Sequence, residues 1–324
     1  MIVGLQQPVV WPDAVDEILT GDLVVAVGSP TPKGGVVLNG VAPVGLRDRA
    51  AGTVTFTTSL GFGRKLERIA ADPRIAVAYH TRRHGRSGRP GVVLVQGVAS
   101  VRADLSQAER GQLVEQAAGH LGPAVTGRFW DWWLAVYYQD RVCVDVGVQR
   151  IVWWPTGSLA DQPIVFGRAL PEQPPAAQTP PWDAATPRVA MLKLRRSVGM
   201  PHLLVGYLQA DGLPCVVPVA VTAVDDTAVI IDNETRLLPS GGRRAGFLAH
   251  DFRPKIVGLS TATHTGWLMP DGQARWTPHT RHSFTAPPSK TLLLLGNGAA
   301  ARWGYRQAIR HGRDQVIRHA RPHE

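Results

Sequence analysis

Short apolar runs separated by turn residues dominate the chain and predict a mainly β protein. Each run alternates apolar and polar residues or is apolar throughout, and glycine, proline or charged residues bound it. This pattern is typical of antiparallel strands joined by tight turns. In the first half it predicts strands over residues 23–27, 36–38, 41–46, 53–58, 75–79, 92–101 and 142–154.

Three segments of the first half have helical spacing instead. Apolar residues recur every three or four positions in residues 13–19, 64–71 and 106–120, as expected for helices that bury one side. The second helix should end at Asp72, because Pro73 disfavours helical conformation in the residue before it. A run of aromatic residues follows the third helix and is interpreted as core packing: Phe129, Trp130, Trp132, Trp133, Tyr137 and Tyr138.

The second half repeats this order of elements, which suggests a divergent internal duplication. It is expected to contain strands over residues 203–208, 214–221 and 227–231, and then a short helix over 243–250. A length of 324 residues also exceeds what one core normally organises. Prolines without any regular period separate the halves and predict a linker. The predicted organisation is a first domain over 1–157, a linker over 158–187 and a second domain over 188–324.

The composition excludes several classes of protein. Hydrophobic residues make up 44% of the chain, which is enough for a folded core, yet no run approaches the roughly 20 apolar residues of a membrane span. Residues 1–22 contain no Lys or Arg, unlike a secretory leader, so we expect a cytoplasmic protein without a membrane partner. The two cysteines, Cys143 and Cys215, lie far apart and predict neither a disulfide framework nor a thiolate metal site.

The net charge of +10 indicates an anionic partner, unless it reflects a coding bias towards arginine. A nucleotide, a polyanionic cofactor or a nucleic acid would each fit. Nucleic acid is the less favoured partner, because no helix-turn-helix or zinc-finger pattern is present. Its support is a basic C-terminal helix that could equally face solvent or a second chain, with Arg302, Arg306, Arg310, Arg313, Arg318 and Arg321.

The most informative segment is a strand that ends in hydroxyl residues, followed by a glycine-rich turn and a helix. Thr57, Thr58 and Ser59 end the strand, and Arg64 and Lys65 begin the helix. Free amides at a helix N-terminus attract anions, and the two cations can add charge-assisted hydrogen bonds to a phosphate. The alternative is an exposed basic first turn. Cations there oppose the helix dipole, at a cost of up to about 1 kcal/mol each, which a bound anion would relieve.

This segment resembles the flavin-binding split barrels of the pyridoxamine 5'-phosphate oxidase-like superfamily. The resemblance covers most of residues 10–155 and only weakly residues 188–290. It rests on the strand Val54–Thr58, the helix start Arg64–Leu66, and the segments Asp72–Val77, Val93–Ala99, Arg150–Trp154 and Gly212–Val219. It implies a mainly β fold with short helices, made of two tandem split β-barrel domains of which the second is divergent.

The resemblance also implies a cofactor and its site. FMN or a deazaflavin would be held through its phosphate at the hydroxyl and cation residues above, in a groove between two barrels, with Gln96 or Trp154 near the ring. The two barrels would come from a homodimer or from an internal pseudo-dimer. The ring would transfer hydride to or from a small organic substrate, so the chain would be an oxidoreductase without an obligatory protein acid or base. No catalytic residue is therefore assigned.

Several alternatives remain at the level of sequence. FMN is slightly favoured over the deazaflavin because it is the commoner cofactor of the superfamily. Heme is less favoured, although His80, His84, His250 and His264 are candidate ligands, and a non-catalytic flavin or heme carrier is the rival function. No metal site is expected, because no carboxylate or cysteine completes one. In the second half, Asp232-Asn233 replaces the hydroxyl pair, which leaves a second complete cofactor site in doubt.

Overall fold

The computed structural model describes residues 7–59, 63–123, 125–134, 141–232, 237–270, 272–310 and 312. Within these ranges the chain forms two curled antiparallel sheets, one from each half, and short helices. The predicted class, a mainly β protein of two tandem split barrels, is confirmed. No helix of the described part is long and apolar enough to cross a membrane.

The first sheet and its helices occupy the first half and the start of the proline-rich segment. The strands are β1 (Val25–Pro30), β2 (Val36–Val41), β3 (Arg47–Asp48), β4 (Thr53–Ser59), β5 (Arg74–Tyr79), β6 (Val92–Arg102), β7 (Arg141–Trp154) and β8 (Ile164–Gly167). The helices are α1 (Asp13–Gly21), α2 (Gly63–Ala71), α3 (Gln107–Leu121) and α4 (Arg128–Trp133). β8 pairs with β7, so part of the predicted linker belongs to this sheet.

The second sheet follows a short helix, α5 (Met191–Val198). Its strands are β9 (His202–Leu208), β10 (Pro214–Pro218), β11 (Val221–Val224), β12 (Val229–Ile231), β13 (Arg243–Asp251), β14 (Ser260–Met269) and β15 (Ala274–Thr285). A 3₁₀ turn, Pro254–Ile256, connects β13 to β14, and a long helix, α6 (Lys290–Arg310), follows the last strand.

The two sheets have the same strand order. The first runs β2-β1-β5-β6-β7-β4-β3 and the second runs β10-β9-β13-β14-β15-β12-β11, so each strand matches the one eight positions later. A register shift recurs at the matching place, between Gln96 and Gly97 on β6 and between Thr265 and Gly266 on β14. Because such bulges are specific features of a fold, they provide a fixed point for matching the two halves residue by residue.

The sheets pack face to face and share one core. Ala26 and Leu94 of the first half join Val205 and Leu248 of the second half in a single cluster of buried side chains. A second cluster fills the first barrel alone and includes Phe56. The chain thus contains within itself an interface of the kind that a dimer of two barrels would form.

Glycines at matching positions allow this close approach. A side chain at Gly28 of β1 would meet Val216 at 2.5 Å, and one at Gly206 of β9 would meet Leu38 at 2.6 Å. Each sheet therefore accepts an apolar side chain of the other above a residue that lacks a Cβ atom. Substituting either glycine would push the halves apart.

The proline-rich segment fastens the halves together as well as connecting them. Gln178 donates from its side-chain amide to the carbonyl of Gly34 at 2.7 Å and accepts from the backbone amide of Arg244 at 2.9 Å. The guanidinium of Arg243 donates to the carbonyl of Pro175. The segment therefore bridges the β1–β2 turn of one half and β13 of the other.

Two predicted elements of regular structure are wrong. Residues 243–250, predicted to be helical, form the central strand β13, which is buried on both faces between β9 and β14. A strand buried on both faces loses its alternating pattern, so periodicity does not separate it from a buried helix. Residues 41–46, predicted to be one strand, leave β2 at Val41 and turn at Val44, whose φ is 48°.

The aromatic run does not form the core. No residue of α4 is buried, and Phe129 and Trp132 are more than half exposed. Instead the rings stack on one another, and the guanidinium of Arg302 on α6 lies 4.4 Å from the Trp132 ring centroid. Arg302 is therefore engaged within the chain. Tyr137, Tyr138, Arg313, Arg318 and Arg321 lie outside the described residues.

Candidate functional site

Helix α2 carries three cations on the sides that do not face the core. Leu66 and Ile69 are buried and hold the helix against the first barrel. This orientation leaves Arg64 exposed and Lys65 and Arg68 half-buried at the surface of the barrel. The helix contains no acidic residue in its first turn, so nothing there offsets their charge on the positive end of the helix dipole.

A fourth cation, Arg141 of β7, lies beside this helix because β7 pairs with β4. β4 pairs antiparallel with β7, and the register places Ser59 directly opposite Arg141 and Thr57 opposite Cys143. Directly opposite residues of antiparallel strands project to the same side of the sheet. Thr57, Ser59 and Arg141 therefore share one face. Thr58, one position out of phase, lies opposite Val142, whose side chain belongs to the core of the first barrel.

The cations are close enough to perturb one another. Burial, and after it the positive charges of Arg141 and Arg68, lower the pKa of Lys65 to about 8. Burial and the neighbouring Arg64 also lower the pKa of Arg68, and only Glu67 opposes the shift. We call Arg64, Lys65, Arg68 and Arg141 the cation cluster. A bound anion would relieve this repulsion and raise the pKa of Lys65 again.

The helix cations lack a hydrogen-bonded carboxylate in the described part of the chain, although Glu67 attracts Arg68. No hydrogen bond or ion pair to Arg64, Lys65 or Arg68 is found among the described residues. Arginines elsewhere are paired, for example Arg47 with Asp16 at 2.7 Å and Arg102 with Asp145 at 2.9 Å. Because a half-buried charge without a partner is costly, an anion beside the helix would stabilise these side chains.

A groove of about 460 Å³ adjoins the cluster between α2 and the β1–β2 turn. Its acidic wall is partly neutralised, because the Asp72 carboxylate is bonded to Arg74 at 2.6 Å. The Arg74 guanidinium also donates to the Gly212 carbonyl of the second half. The lining residues are Pro30, Thr31, Pro32, Arg64, Glu67, Arg68, Ala71 and Asp72. The volume is in the range of small-molecule sites.

Gln96 and Trp154, expected near a cofactor ring, lie in the interface between the halves. The Gln96 side chain is fully buried and donates to the Gln209 side chain at 2.8 Å and to the Pro214 carbonyl at 2.6 Å. Trp154 is 2% exposed within the shared core. Neither side chain borders the cation cluster or its groove. Residues of the second half therefore cover both side chains.

The sequence analysis predicts two of the four cations in the cluster, Arg64 and Lys65, but not Arg68 or Arg141. Arg64 and Lys65 stand in one recognisable motif, and Arg68 follows one helical turn after Arg64, a spacing that could have been noticed. Arg141 is far away in the sequence and joins the cluster only through the β4–β7 register. No local signal identifies such a partner.

The histidines considered as heme ligands are divided between separate places. His80 of the first half and His250 of the second half form a hydrogen bond at 2.8 Å between their Nε2 atoms. His264 is buried beside the Ser197 hydroxyl at 3.3 Å, and His84 is exposed. Over the described ranges, no group of three or more His, Cys, Asp or Glu side chains is arranged to hold a metal ion.

The chain is similar to solved structures but not to any protein-family model or curated protein. No protein-family model and no curated protein matches the sequence. A conserved hypothetical protein from Mycobacterium tuberculosis aligns with 46% of this chain and 88% of its own length, at 16% identity and a TM-score of 0.35. An F420 reductase aligns with 42% of this chain and 94% of its own, at 17% identity and a TM-score of 0.31.

A third structure also matches. It is a pyridoxamine 5'-phosphate oxidase-related, FMN binding protein from Nostoc punctiforme, with 8% identity and a TM-score of 0.26, covering 40% of this chain and 74% of its own. The two-sheet fold itself is established by the strand order of this chain.

Proposed function

We propose that the chain binds a flavin-type nucleotide through its phosphate at the cation cluster and acts as an oxidoreductase on a small organic substrate. One observation carries the proposal: three helix cations without a described hydrogen-bond partner lie close to Arg141 of a neighbouring strand, and burial, followed by the charges of Arg141 and Arg68, lowers the pKa of Lys65 to about 8. An anion of high charge density is the ligand that such a cluster favours.

Three residues of the cluster have distinct tasks in this proposal. Lys65 supplies a compact charge at the start of α2, where free backbone amides also face the anion. Arg141 lies opposite Ser59, so a phosphate between them could accept from the guanidinium and the hydroxyl together. Thr57 on the same face extends the row of hydroxyl donors. Arg64 borders the groove that could take the remainder of the nucleotide.

The phosphate-bearing end of FMN or of a deazaflavin fits these residues, whereas Gln96 and Trp154 are closed off by the second half. When bound, the ring system supplies hydride transfer. The chain's own contribution is to hold the anion, orient the nucleotide and shield one side of it with the paired sheets. Both compounds would be held through their phosphate, so the cluster does not choose between them. We retain FMN as the first candidate, because it is the commoner cofactor of the superfamily, and the deazaflavin as the second. A carrier without turnover is the rival function.

Absorption and fluorescence titration of the purified protein with FMN, with the deazaflavin and with hemin tests the proposal. Saturable spectral change with either flavin-type compound, competed by inorganic phosphate, is the expected result. If only hemin bound saturably, the protein would be a heme-binding protein and the proposed flavin site would be wrong. Steady-state reduction assays with the bound compound then separate an enzyme from a carrier.

Replacing Lys65 should weaken binding of the nucleotide markedly. We expect Lys65→Ala to raise the dissociation constant of FMN by about 10-fold to 100-fold, which corresponds to about 1–3 kcal/mol for a charged hydrogen bond. Isothermal titration calorimetry measures the constant. The matched control is Lys193→Ala, which removes an exposed lysine from α5 in the second half. Equal affinity of the two variants would remove Lys65 from the site.

The affinity should also fall as the pH rises. Lys65 has a pKa of about 8 without an anion, and only its protonated form attracts phosphate. Above pH 8 the free protein loses this proton and must regain it on binding, so the affinity should decrease by up to about tenfold per pH unit. In Lys65→Arg the charge is permanent, so its affinity should stay nearly constant between about pH 7 and about pH 9.5. A parallel decline in both proteins would contradict the role given to Lys65.

A further inference from the structure

The matching bulges allow the two halves to be compared residue by residue. Gly97 on β6 lies opposite Val148 of β7, and Gly266 on β14 lies opposite Pro278 of β15. Val148 and Pro278 therefore occupy equivalent places in the two barrels. The last strands β7 and β15 can be aligned from this point, and so can the strands that pair with them.

This alignment identifies the residue of the second half that corresponds to Thr57, at the end of β4. Two residues before the fixed point, β7 and β15 carry an apolar residue that pairs with the strand before it: Val146 with Val54 of β4, and Trp276 with Val229 of β12. Val54 and Val229 are thus equivalent. Counting three residues onward, Thr57 corresponds to Asp232. A carboxylate takes the place of a hydroxyl donor, and a carboxylate repels a phosphate.

The helix that carries the cations has no counterpart in the described part of the second half. In the first half α2 lies between β4 and β5. Between the matching strands β12 and β13, the described residues 237–242 form only bends and irregular backbone before β13 begins. Arg236 of that loop lies outside the described residues, and Arg243, the first residue of β13, is buried and donates to the carbonyls of Pro175, Ser240 and Gly241. Its guanidinium is thus used to fasten the proline-rich segment.

The sheet face next to this loop is neutralised from within. Arg275 is equivalent to Asp145 by the same alignment, and its guanidinium donates to the Asp225 carboxylate at 2.5 Å and to the Thr227 hydroxyl at 3.1 Å. The Asp225 carboxylate also accepts the backbone amides of Thr227 and Ala228, and these bonds lower its pKa. At the equivalent place in the first half Asp145 is paired with Arg102 at 2.9 Å, so this part of the sheet face carries an internal ion pair in both halves.

We infer that the chain has a single nucleotide site, in the first half, and that the second half has lost its own site and serves as the permanent partner barrel. This inference rests on the proposed function and adds its stoichiometry. Two differences carry it: Asp232 at the position of Thr57, and the lack of a helix in the described residues 237–242, where the first half has α2. Two identical barrels in a dimer would present two sites, whereas this chain presents one.

Equilibrium titration of the full chain with FMN at concentrations well above the dissociation constant measures the stoichiometry. The expected end point is one FMN per chain, and an end point of two would overturn the inference while leaving the proposed function intact. Absence of any saturable binding of FMN and of the deazaflavin would instead reject the proposed function itself. The two failures are thus distinguishable.

Variants assign the single site to its half. In Lys65→Ala with Arg141→Ala, binding should fall by more than 100-fold. In Asp232→Asn, both affinity and stoichiometry should stay at the values of the parent protein. Residual binding of one FMN per chain at parental affinity in the first variant would place the site in the second half and overturn the inference. Thermal unfolding of each variant without FMN checks that the fold is retained.

Discussion

Acidification below pH 6.5 should destabilise the protein steeply, because the interface between its halves buries neutral histidines. Burial, and secondarily the charges of His202 and Arg82, lower the pKa of His80 to about 3, although its bond to the Ala78 carbonyl opposes the shift. Burial, followed by the charges of His80 and His202, lowers the pKa of His250 to about 2. Both imidazoles are thus neutral in the folded chain.

The hydrogen bonds determine which nitrogen of each ring holds the proton. A carbonyl can only accept, so the Nδ1 atom of His80 must donate to the Ala78 carbonyl at 3.1 Å. The Nε2 atom of neutral His80 is then an acceptor, and the Nε2 atom of His250 donates to it across the interface at 2.8 Å. A second proton on His80 would replace this bond by a repulsive contact between two donors.

The direction of the pH effect follows from these pKa values. The unfolded chain begins to bind protons at its histidines near pH 6.5, whereas the folded chain does not until far lower pH. Stability is therefore complete above pH 6.5 and decreases as the pH falls, by up to about 1.4 kcal/mol per pH unit for each such histidine. His202, whose pKa is also lowered by burial and by Arg83, with Asp251 opposing, adds to the slope.

Urea unfolding at a series of pH values between about 5 and about 8 measures this slope. His80→Gln with His250→Gln replaces the pair by two amides, which can still bond across the interface but cannot titrate, so the loss of stability on acidification should become shallower. His282→Gln, at an exposed position on β15, is the control and should keep the parental slope. A parent protein of constant stability down to pH 5 would contradict the prediction.

The fold could be predicted from the sequence wherever burial is one-sided. β4 and α2 have one buried and one open side, so their apolar positions keep the period of the element. β13 is covered by a sheet neighbour on each edge and by side chains on each face, so its sequence from Arg243 to Asp251 has no usable period. The strand could be assigned only from its counterpart β5 in the first half.

The candidate site shows the same division between local and non-local information. Thr57, Ser59, Arg64 and Lys65 lie within ten residues of one another, so a motif could identify them. Arg141 reaches them only through strand pairing. Burial of Gln96 depends on how the second half docks, which no local pattern encodes. A resemblance to barrel proteins therefore predicts an anion end of the site from sequence, but it does not predict which side chains the second half covers.

Removing Arg150 should cost more stability than any other single charge change considered in this chain. Its side chain is fully buried at the junction of the halves and is ion-paired with Asp211, which is itself 8% exposed. The guanidinium also donates to the Gln96 and Gln209 side chains, at 2.9 Å and 3.1 Å, and to the Arg168 carbonyl at 2.9 Å. It thus organises a polar network that spans both halves.

Arg150→Leu should lower the free energy of unfolding by about 3–5 kcal/mol, because the Asp211 carboxylate would remain buried without its main partner. Arg168, whose Nε atom lies 4.0 Å from that carboxylate, is half exposed and offers only weak compensation. Urea unfolding of the intact chain measures the difference. Adding Asp211→Leu should restore a large part of the lost stability, since the double variant leaves no unpaired charge behind.

A second ion pair between the halves provides the matched control. Arg83 and Asp251 are joined at 2.9 Å but are 42% and 44% exposed, so solvent screens their attraction. Arg83→Leu should therefore change the free energy of unfolding by less than about 1 kcal/mol. If Arg150→Leu cost no more than this control, the buried network would not be what holds the two barrels in register, and the apolar core around Leu94 and Val205 would have to account for their association alone.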